Sequence, residues 1–167
     1  GTIGSSWKTV PITVTLSPTD ARSGVAATYY TTDGSVPTTS SDEGTSIVLT
    51  DDGIYTIRYF SVDHVGNVEP VRTAFATIRI DKTDPAAPAI SLNESTPWTH
   101  VSGAEIFVNT GHTATFGVSA TSSDAGSGID KIGFPGGVED SSSPYSATYN
   151  LDDLSGSQTV TVHDAAG

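Results

Sequence analysis

The sequence predicts an all-β fold that is divided into two antiparallel β-sandwiches in tandem, at about residues 1–84 and 85–167. The composition is the first observation, because 17 glycines, 9 prolines and 16% charged residues suit many short strands joined by turns. The second is that apolar residues alternate with polar ones, whereas no ten-residue stretch has the spacing of an amphipathic helix. The third is a pair of short motifs that occurs twice, which predicts a duplicated domain.

The duplicated motifs are centred on aspartates. The stretch from Asp20 to Val25 is similar to the stretch from Asp124 to Ile129, and residues 63–66 are similar to residues 164–167. Because each motif follows an alternating apolar stretch, we expect it to mark a loop at the end of a strand.

The first half contains the strand pattern of an immunoglobulin-like, or fibronectin III-like, sandwich. Tyr55 has the spacing of a tyrosine corner, in which a tyrosine near the start of strand F returns its hydroxyl to nearby backbone. The predicted strands after a first strand A are B (12–16), C (25–32), E (46–50), F (54–62) and G (74–80).

The second half repeats this pattern with an insertion near its start. A stiff stretch from Asp81 to Pro88 joins the halves, because proline keeps the chain extended. The insertion carries Trp98 and residues 106–108. We expect this unit to be C-terminally truncated and to lack its last strand G, or to have that strand replaced by a neighbour. Its predicted strands are a first one at 89–92, B at 113–118, C at 129–134, E at 145–149 and F at 159–162.

Composition and charge exclude several classes of function. No cysteine is present, so disulfides and thiolate metal sites are excluded. Residues 1–84 contain six Lys and Arg against ten Asp and Glu, and residues 85–167 contain one against nine. This charge repels phosphate backbones, so nucleic acid is not an expected partner. No apolar run approaches the ~20 residues of a membrane span.

Several segments of the first half resemble a known family. Trp7, the run from Tyr29 to Thr38, the turn at residues 53–55, the stretch 61–69 and the segment 80–85 are similar to bacterial Ig-like repeats. More narrowly, the first unit resembles OmpL47-type and chitobiase C-terminal-like modules. The second unit resembles a sister Ig-like repeat. The resemblance implies no catalysis, and it implies modules that stand beside glycoside hydrolases, other secreted enzymes or adhesive domains.

The aspartate motifs supply the candidate functional residues. The B–C and F–G loops of an immunoglobulin-like fold lie at the same end, so the motifs of each unit should converge. We expect the aspartates to accept backbone N–H bonds and to organise these loops. The loop-organising candidates are Asp20, Ser23, Gly24, Asp63, Gly66 and Asn67 in the first unit, and Asp124, Ser127, Gly128 and Asp164 in the second.

Calcium is an alternative role for some of these carboxylates. The linker leads into the end of the second unit at which we expect its aspartate motifs, so the linker aspartates should lie near them. Carboxylate oxygens are ligands that a hard cation prefers. The candidate calcium ligands are Asp81, Asp84, Asp124 and Asp164. We otherwise expect no cofactor.

Carbohydrate binding is a second alternative, because Trp and Tyr offer flat apolar faces with polar edges to sugar rings. Trp7, Tyr30 and Trp98 are the candidate contact residues. Tyr29 and Tyr30 point to opposite faces of their strand, so only one of them can belong to the core.

An enzymatic role is the least supported reading. Glycoside hydrolysis needs two carboxyl groups facing each other across a cleft, at roughly 5–10 Å. The acid pairs Asp51 and Asp52, Glu139 and Asp140, and Asp152 and Asp153 are adjacent in turns and diverge.

The sequence therefore predicts a monomeric, non-catalytic spacer or presentation module of a larger secreted or cell-surface bacterial protein. Its expected partners are the adjacent domains of the same polypeptide. A carbohydrate-binding or adhesion module beside a secreted glycoside hydrolase, which would contact polysaccharide or glycoprotein, is the alternative.

Overall fold

The first unit places its strands in two sheets that face each other across one core. The computed structural model describes residues 6–167, apart from the side chains of Phe75 and Ala76. The chain divides into two compact units between Thr83 and Asp84. The strands of the first unit are β1 (Trp7–Lys8), β2 (Ile12–Thr15), β3 (Val25–Thr31), β4 (Asp42–Glu43), β5 (Ser46–Leu49), β6 (Gly53–Asp63) and β7 (Arg72–Ile80).

The larger sheet of the first unit has the strand order β1-β7-β6-β3-β4, and the smaller one pairs β2 with β5. All pairings are antiparallel except that of β1 with β7. Alternating apolar residues of both sheets meet in the core, as the period of two along a strand requires. The buried core residues are Val14, Leu16, Ile47, Leu49, Ile57, Ala74, Ile78 and Ile80.

This arrangement confirms the predicted immunoglobulin-like sandwich. The predicted strands B, C, E, F and G correspond to β2, β3, β5, β6 and β7. The Tyr55 hydroxyl donates a hydrogen bond to the backbone oxygen of Asp51 at 2.8 Å, which is the tyrosine corner that the spacing predicted. The predicted strand G was Ala74 to Ile80, and β7 begins two residues earlier; the side chains of Phe75 and Ala76 lie outside the description.

The second unit contains two three-stranded sheets and a separate hairpin among the described residues. The sheets have the orders β14-β11-β8 and β13-β12-β15, and β9 pairs with β10. A 3₁₀ turn at Pro135–Gly137 leads from β12 into β13. The strands are β8 (Ala89–Glu94), β9 (Thr99–Ser102), β10 (Glu105–Val108), β11 (Thr115–Thr121), β12 (Ile129–Phe134), β13 (Val138–Asp140), β14 (Tyr145–Asn150) and β15 (Thr161–Asp164).

The core of the second unit lies between its two sheets. Its buried residues come from β11, β12 and β14, and Ile132 is fully buried opposite Val162 of β15. The Tyr149 hydroxyl donates a buried hydrogen bond to the backbone oxygen of Pro135 at 2.9 Å, which links the two sheets. Burial, together with the charge of Asp153, raises the pKa of Tyr149.

Four strands of the second unit differ from their predicted bounds: β8 and β14 end later, at Glu94 and Asn150, and β11 and β15 differ at both ends. β11 was predicted at 113–118 but continues to Thr121, because Thr121 still pairs with Ala89 of β8. β15 was predicted at 159–162 but covers Thr161–Asp164. Asp153 accepts hydrogen bonds from the backbone and side-chain nitrogens of Asn150, which favours a turn directly after β14.

In the part of the chain that the structure describes, β15 is the last strand, and the predicted truncation stays a prediction. The described residues also contain no helix that is long and apolar enough to cross a membrane.

Candidate functional site

The aspartate loops of the first unit are bound to each other at one pole of the sandwich. One loop joins β2 to β3 and the other joins β6 to β7; we call the two together the aspartate loop pair. The backbone N–H of His64 donates to the oxygen of Gly24 at 3.2 Å. The Ser23 hydroxyl donates to Oδ2 of Asp63 at 2.8 Å. The structure therefore brings the two predicted motifs into direct contact.

Asp63 is the central acceptor of this loop pair. Its Oδ1 accepts from the backbone nitrogens of Val65 at 3.0 Å and Asn67 at 2.8 Å. Its Oδ2 accepts from Nδ2 of Asn67 and from the Ser23 hydroxyl, both at 2.8 Å. Burial acts to raise the pKa of Asp63, but the hydrogen bonds from Asn67, Ser23 and Val65 outweigh it and lower the pKa to about 2. The carboxylate is thus held ionised by the loops that it organises.

Asp20 organises the other loop of the pair. Its Oδ1 accepts from the backbone nitrogens of Arg22 at 2.6 Å and Ser23 at 3.1 Å. The hydrogen bond from Arg22 is the main cause that lowers the pKa of Asp20. This pattern is the turn in which an aspartate side chain accepts from backbone two residues further on.

Two glycines of the pair have backbone angles that favour glycine. Gly24 has a φ of +74° and Gly66 a φ of +90°. A side chain at such an angle brings Cβ close to the following carbonyl oxygen. The glycines of the motif are therefore required by the turn geometry.

The second unit repeats the loop pair with the same backbone connection. The N–H of Ala165 donates to the oxygen of Gly128 at 3.0 Å, in the place of the bond from His64 to Gly24. Oδ1 of Asp124 accepts from the nitrogens of Gly126 at 3.0 Å and Gly128 at 2.8 Å. Oδ1 of Asp164 accepts from the nitrogen of Gly167 at 2.8 Å.

The strands beside the two loop pairs also correspond. Val25 pairs with Asp63, Ile129 pairs with Asp164, and both ladders have a register shift directly after that pair. Gly128 has a φ of +80°, like Gly24, and Ser127 is half-buried beside it. The duplication in the sequence is therefore a duplication of local structure.

The calcium candidates differ in their surroundings. A carboxylate oxygen of Asp124 lies within 4.8 Å of one of Asp164. Asp81 belongs to the first unit, is buried, and accepts from the nitrogen of Thr83 at 3.2 Å, whereas Asp84 is exposed. Calcium binding stays a prediction, because carboxylates that accept backbone N–H bonds also have a purely structural role.

The three candidate glycan-contact aromatics have different environments. Tyr30 packs against the core of the first unit. Trp7 is half-buried and its ring lies under the guanidinium of Arg79, 5.8 Å from the ring centroid. Trp98 is 43% exposed and stacks on His112, with ring centroids 3.7 Å apart and planes at 6°.

The acid pairs have structural partners. Oε1 of Glu139 accepts from Nζ of Lys131 at 2.7 Å, and this bond lowers the pKa of Glu139. Asp140 accepts backbone bonds from Ser146 and Ser142, which lower its pKa. A general acid needs a raised pKa, so these carboxyl groups are unsuited to that role.

Sequence reasoning missed one polar contact and one ring stacking near the candidate residues. The hydroxyls of Thr28 and Ser61 are buried and 3.0 Å apart, between β3 and β6 of the first unit. The stacking of Trp98 on His112 joins residues on either side of the β9–β10 hairpin. Only the apolar alternation around Thr28 and Ser61 could have indicated that these residues face the core.

One family model and one solved structure are similar to part or most of the chain. Residues 4–73 match the family model of the chitobiase/beta-hexosaminidase C-terminal domain. This match lies within the first unit and confirms the resemblance of its sequence to chitobiase C-terminal-like modules. No curated protein is detectably similar to the chain. Among solved structures, the chain is similar to the fibronectin(III)-like modules of Clostridium thermocellum CbhA at 15% identity, over 96% of this chain and 80% of that one, with a TM-score of 0.34.

Proposed function

We propose that this chain is a non-catalytic spacer and presentation module of a larger secreted or cell-surface bacterial protein. The observation that carries the proposal is the aspartate loop pair. Asp63 accepts four hydrogen bonds from three residues of its own unit, so its bonding capacity serves to fix two loops. A pole that is held in this way suits a rigid support for neighbouring domains.

The family of the first unit supports an accessory position beside a glycoside hydrolase. The matching model describes a C-terminal domain of chitobiase and beta-hexosaminidase. In the proposed role, the chain holds a neighbouring catalytic or adhesive domain at a distance outside the cell. Function cannot be read from a fold alone, so the neighbouring domains are part of the proposal.

The surface charge supports the adjacent domains of the same polypeptide as the partners. Residues 85–167 carry nine acidic residues and the single cation Lys131. Chains of like charge repel each other in solution, which favours a monomer.

Carbohydrate binding is the second candidate function, and Trp98 favours it. His112 stacks on one face of the indole, and Trp98 is nevertheless 43% exposed. An exposed indole that a neighbouring ring holds in place is a surface on which a sugar ring can stack.

Affinity electrophoresis separates the two functions. The spacer function predicts that the chain migrates equally in gels with and without chitin-like, plant or mucin polysaccharide. Retardation in one of these gels that disappears in Trp98→Ala, and persists in the control Val48→Ala at an exposed residue of β5, would establish carbohydrate binding instead.

A further inference from the structure

The β9–β10 hairpin of the second unit turns one of its two sides away from the core. Thr99 is buried and Ile106 packs against the core, so these residues mark the inner side. Side chains alternate along a strand, and paired residues share a side. His100 pairs with Phe107 and lies with it on the other side, which we call the outer side of the hairpin. There Phe107 is 53% exposed, and the side chain of His100 is 74% exposed.

Trp98 belongs to the same outer side. The backbone N–H of Asn109 donates to the oxygen of Trp98 at 2.9 Å, which continues the register of the hairpin by one pair beyond its ladder. Because Thr99 points inward, Trp98 points outward, in agreement with its 43% exposure. Trp98 and Phe107 are then diagonal neighbours at about 7–8 Å, a spacing that aromatic side chains can span. The outer side thus presents two aromatic rings side by side.

The ring of Trp98 is held in place by the turn that follows β10. Oδ1 of Asn109 accepts from the nitrogen of Gly111 at 3.1 Å, and the backbone oxygen of Asn109 accepts from the nitrogen of His112 at 3.1 Å. This turn brings the imidazole of His112 onto the indole of Trp98, with ring centroids 3.7 Å apart. A ring that is ordered before it meets a ligand loses less conformational freedom on binding, which favours affinity.

Hydrogen-bonding groups flank the two rings. Oε1 of Glu94 accepts from the nitrogen of Val101 at 2.8 Å and lies 3.2 Å from Nδ1 of His100, which orients that imidazole beside Phe107. The residues of the outer side are all aromatic or able to form hydrogen bonds, and none of them is aliphatic: Trp98, His100, Ser102, Glu105, Phe107 and Asn109. This combination suits a sugar chain, because the C–H faces of sugar rings pack on aromatic rings and their hydroxyls exchange hydrogen bonds.

The charge of the second unit selects among sugars. Residues 85–167 carry nine acidic residues against the single cation Lys131, and Nζ of Lys131 donates to Oε1 of Glu139 at 2.7 Å. This field repels a glycan that carries carboxylate or sulfate groups. Two aromatic rings in a row further favour a chain with equatorial linkages and hydroxyls, because such a chain is extended and its C–H faces are flat.

We propose that the outer side of the β9–β10 hairpin binds a neutral, β-linked polysaccharide, with Trp98 and Phe107 under neighbouring sugar rings and His100 beside them for the hydroxyls. His112 is a positioning residue, which acts by holding Trp98. The proposal rests on carbohydrate binding, the second candidate function, and adds to it the binding face and the class of sugar. An apolar surface of another protein fits less well, because the outer side has no aliphatic side chain.

Soluble oligosaccharides are the probes, added to the full chain with Trp7→Phe so that Trp98 is the sole tryptophan. We expect a saturable change of its fluorescence with β-linked oligomers of glucose, of N-acetylglucosamine or of both, and these two arms distinguish the sources. The change should not depend on salt, because the ligand is neutral. Oligomers of α-linked glucose and of galacturonic acid should have no effect.

Variants in the same background test the face. Phe107→Ala should weaken binding by about threefold to tenfold, because one of the two stacked rings is lost. His112→Ala should also weaken binding, and His112→Phe should restore it, because a phenyl ring can stack on the indole as the imidazole does. The matched control is Val138→Ala, at an exposed residue of β13, which should bind as the parent chain does. The melting temperature shows that each variant is folded.

The outcomes separate this proposal from carbohydrate binding itself. If none of the oligosaccharides binds, carbohydrate binding and the proposal both fail. If a sugar binds equally well to Phe107→Ala and to His112→Ala, or if the charged or α-linked oligomers bind best, carbohydrate binding stands and the proposed face or sugar class is wrong. Concentration-dependent dimers that disappear in Phe107→Ala would identify a second copy of the chain as the occupant and would also overturn the proposal.

Discussion

The two units share their aspartate loop pair but differ in how the adjacent sheet is completed. In both units, a backbone bond from the residue after the second aspartate reaches the glycine of the other loop, at 3.2 Å from His64 and 3.0 Å from Ala165. The first unit then adds β7, which contributes Ala74, Ile78 and Ile80 to its core. In the described part of the second unit, β15 remains an edge strand.

The aspartate bonds of the second loop pair are local in the chain. The bonds to Asp124 come from Gly126 and Gly128, which follow it closely in the chain. Such local bonds form wherever the two loops are brought to the same pole. The core of the first unit, in contrast, includes side chains of its last strand, β7.

The largest expected effect lies in the comparison of two inner-face isoleucines. Ile80 is fully buried, so Ile80→Ala should lower the free energy of unfolding of the first unit by about 2–5 kcal/mol. Ile90 is 51% exposed, so Ile90→Ala should cost less than about 1 kcal/mol in the second unit. Urea unfolding measures both, because Trp7 reports on the first unit and Trp98 on the second.

Variants in which Trp7 or Trp98 is replaced by phenylalanine assign each fluorescence transition to its unit. If Ile80→Ala and Ile90→Ala lowered the free energy of unfolding equally, Ile90 of β8 would be covered as Ile80 is. The contrast between the two units would then be wrong.

Substitution of the corresponding loop glycines tests whether the loop pairs are equivalent. Gly24→Ala and Gly128→Ala should each cost about 1–2 kcal/mol, because alanine is strained at φ angles of +74° and +80°. The space around both positions accommodates a methyl group, so the cost is a backbone effect. Gly111→Ala, at an exposed glycine outside this φ range, is the control and should have little effect when followed by urea unfolding. If the free energy of unfolding fell in one unit alone, the two loop pairs would not be equivalent.

The stability of the first unit should depend on pH through the ionisation of Asp63. Its pKa in the folded protein is about 2, below the ordinary value of 3.8, so its ionised form stabilises the fold above that ordinary value. This stabilisation should be lost progressively as the pH falls from about 4 to about 2. Ser23→Ala removes one donor and should raise the pKa of Asp63, as followed by NMR titration of its carboxyl carbon.

Asn67→Ala removes two of the bonds to Asp63 if the loop rearranges, and at least the side-chain bond if it does not. It should therefore raise the pKa of Asp63 by at least as much as Ser23→Ala. An unchanged pKa in both variants would show that other groups hold the carboxylate ionised.

Calcium should have the smallest effect. Asp124 and Asp164 already accept N–H bonds from glycines of their own loops, so we expect the melting temperature to be the same in calcium and in chelator. A rise with calcium that is lost in Asp124→Asn, and kept in the control Asp33→Asn, would instead support the predicted metal site.

The sequence was sufficient for the features that depend on local pattern. Alternation predicted the sandwich strands, and the spacing of Tyr55 predicted its hydrogen bond to Asp51. The sequence was not sufficient for features that depend on which strands pair with each other. The length of β11 follows from its partners β8 and β14, and the β9–β10 hairpin was seen only as an insertion.

In the candidate site too, some features could be predicted from the sequence and others could not. The aspartates and glycines of the loop pair were visible because their turn chemistry is local and repeated. The environments of Trp7 and Trp98 were not, because Arg79 and His112 are distant in sequence and only the fold brings them to the rings.

The central claim is that the two units have equivalent aspartate loop pairs but differ in the adjacent sheet. Hydrogen exchange of individual backbone amides tests this claim most directly. The account predicts slow exchange at both His64 and Ala165, slow exchange along β7, and fast exchange at the β15 amides that face away from β12. Fast exchange at Ala165 with slow exchange at His64, or uniform protection of β15 in the monomer, would contradict it.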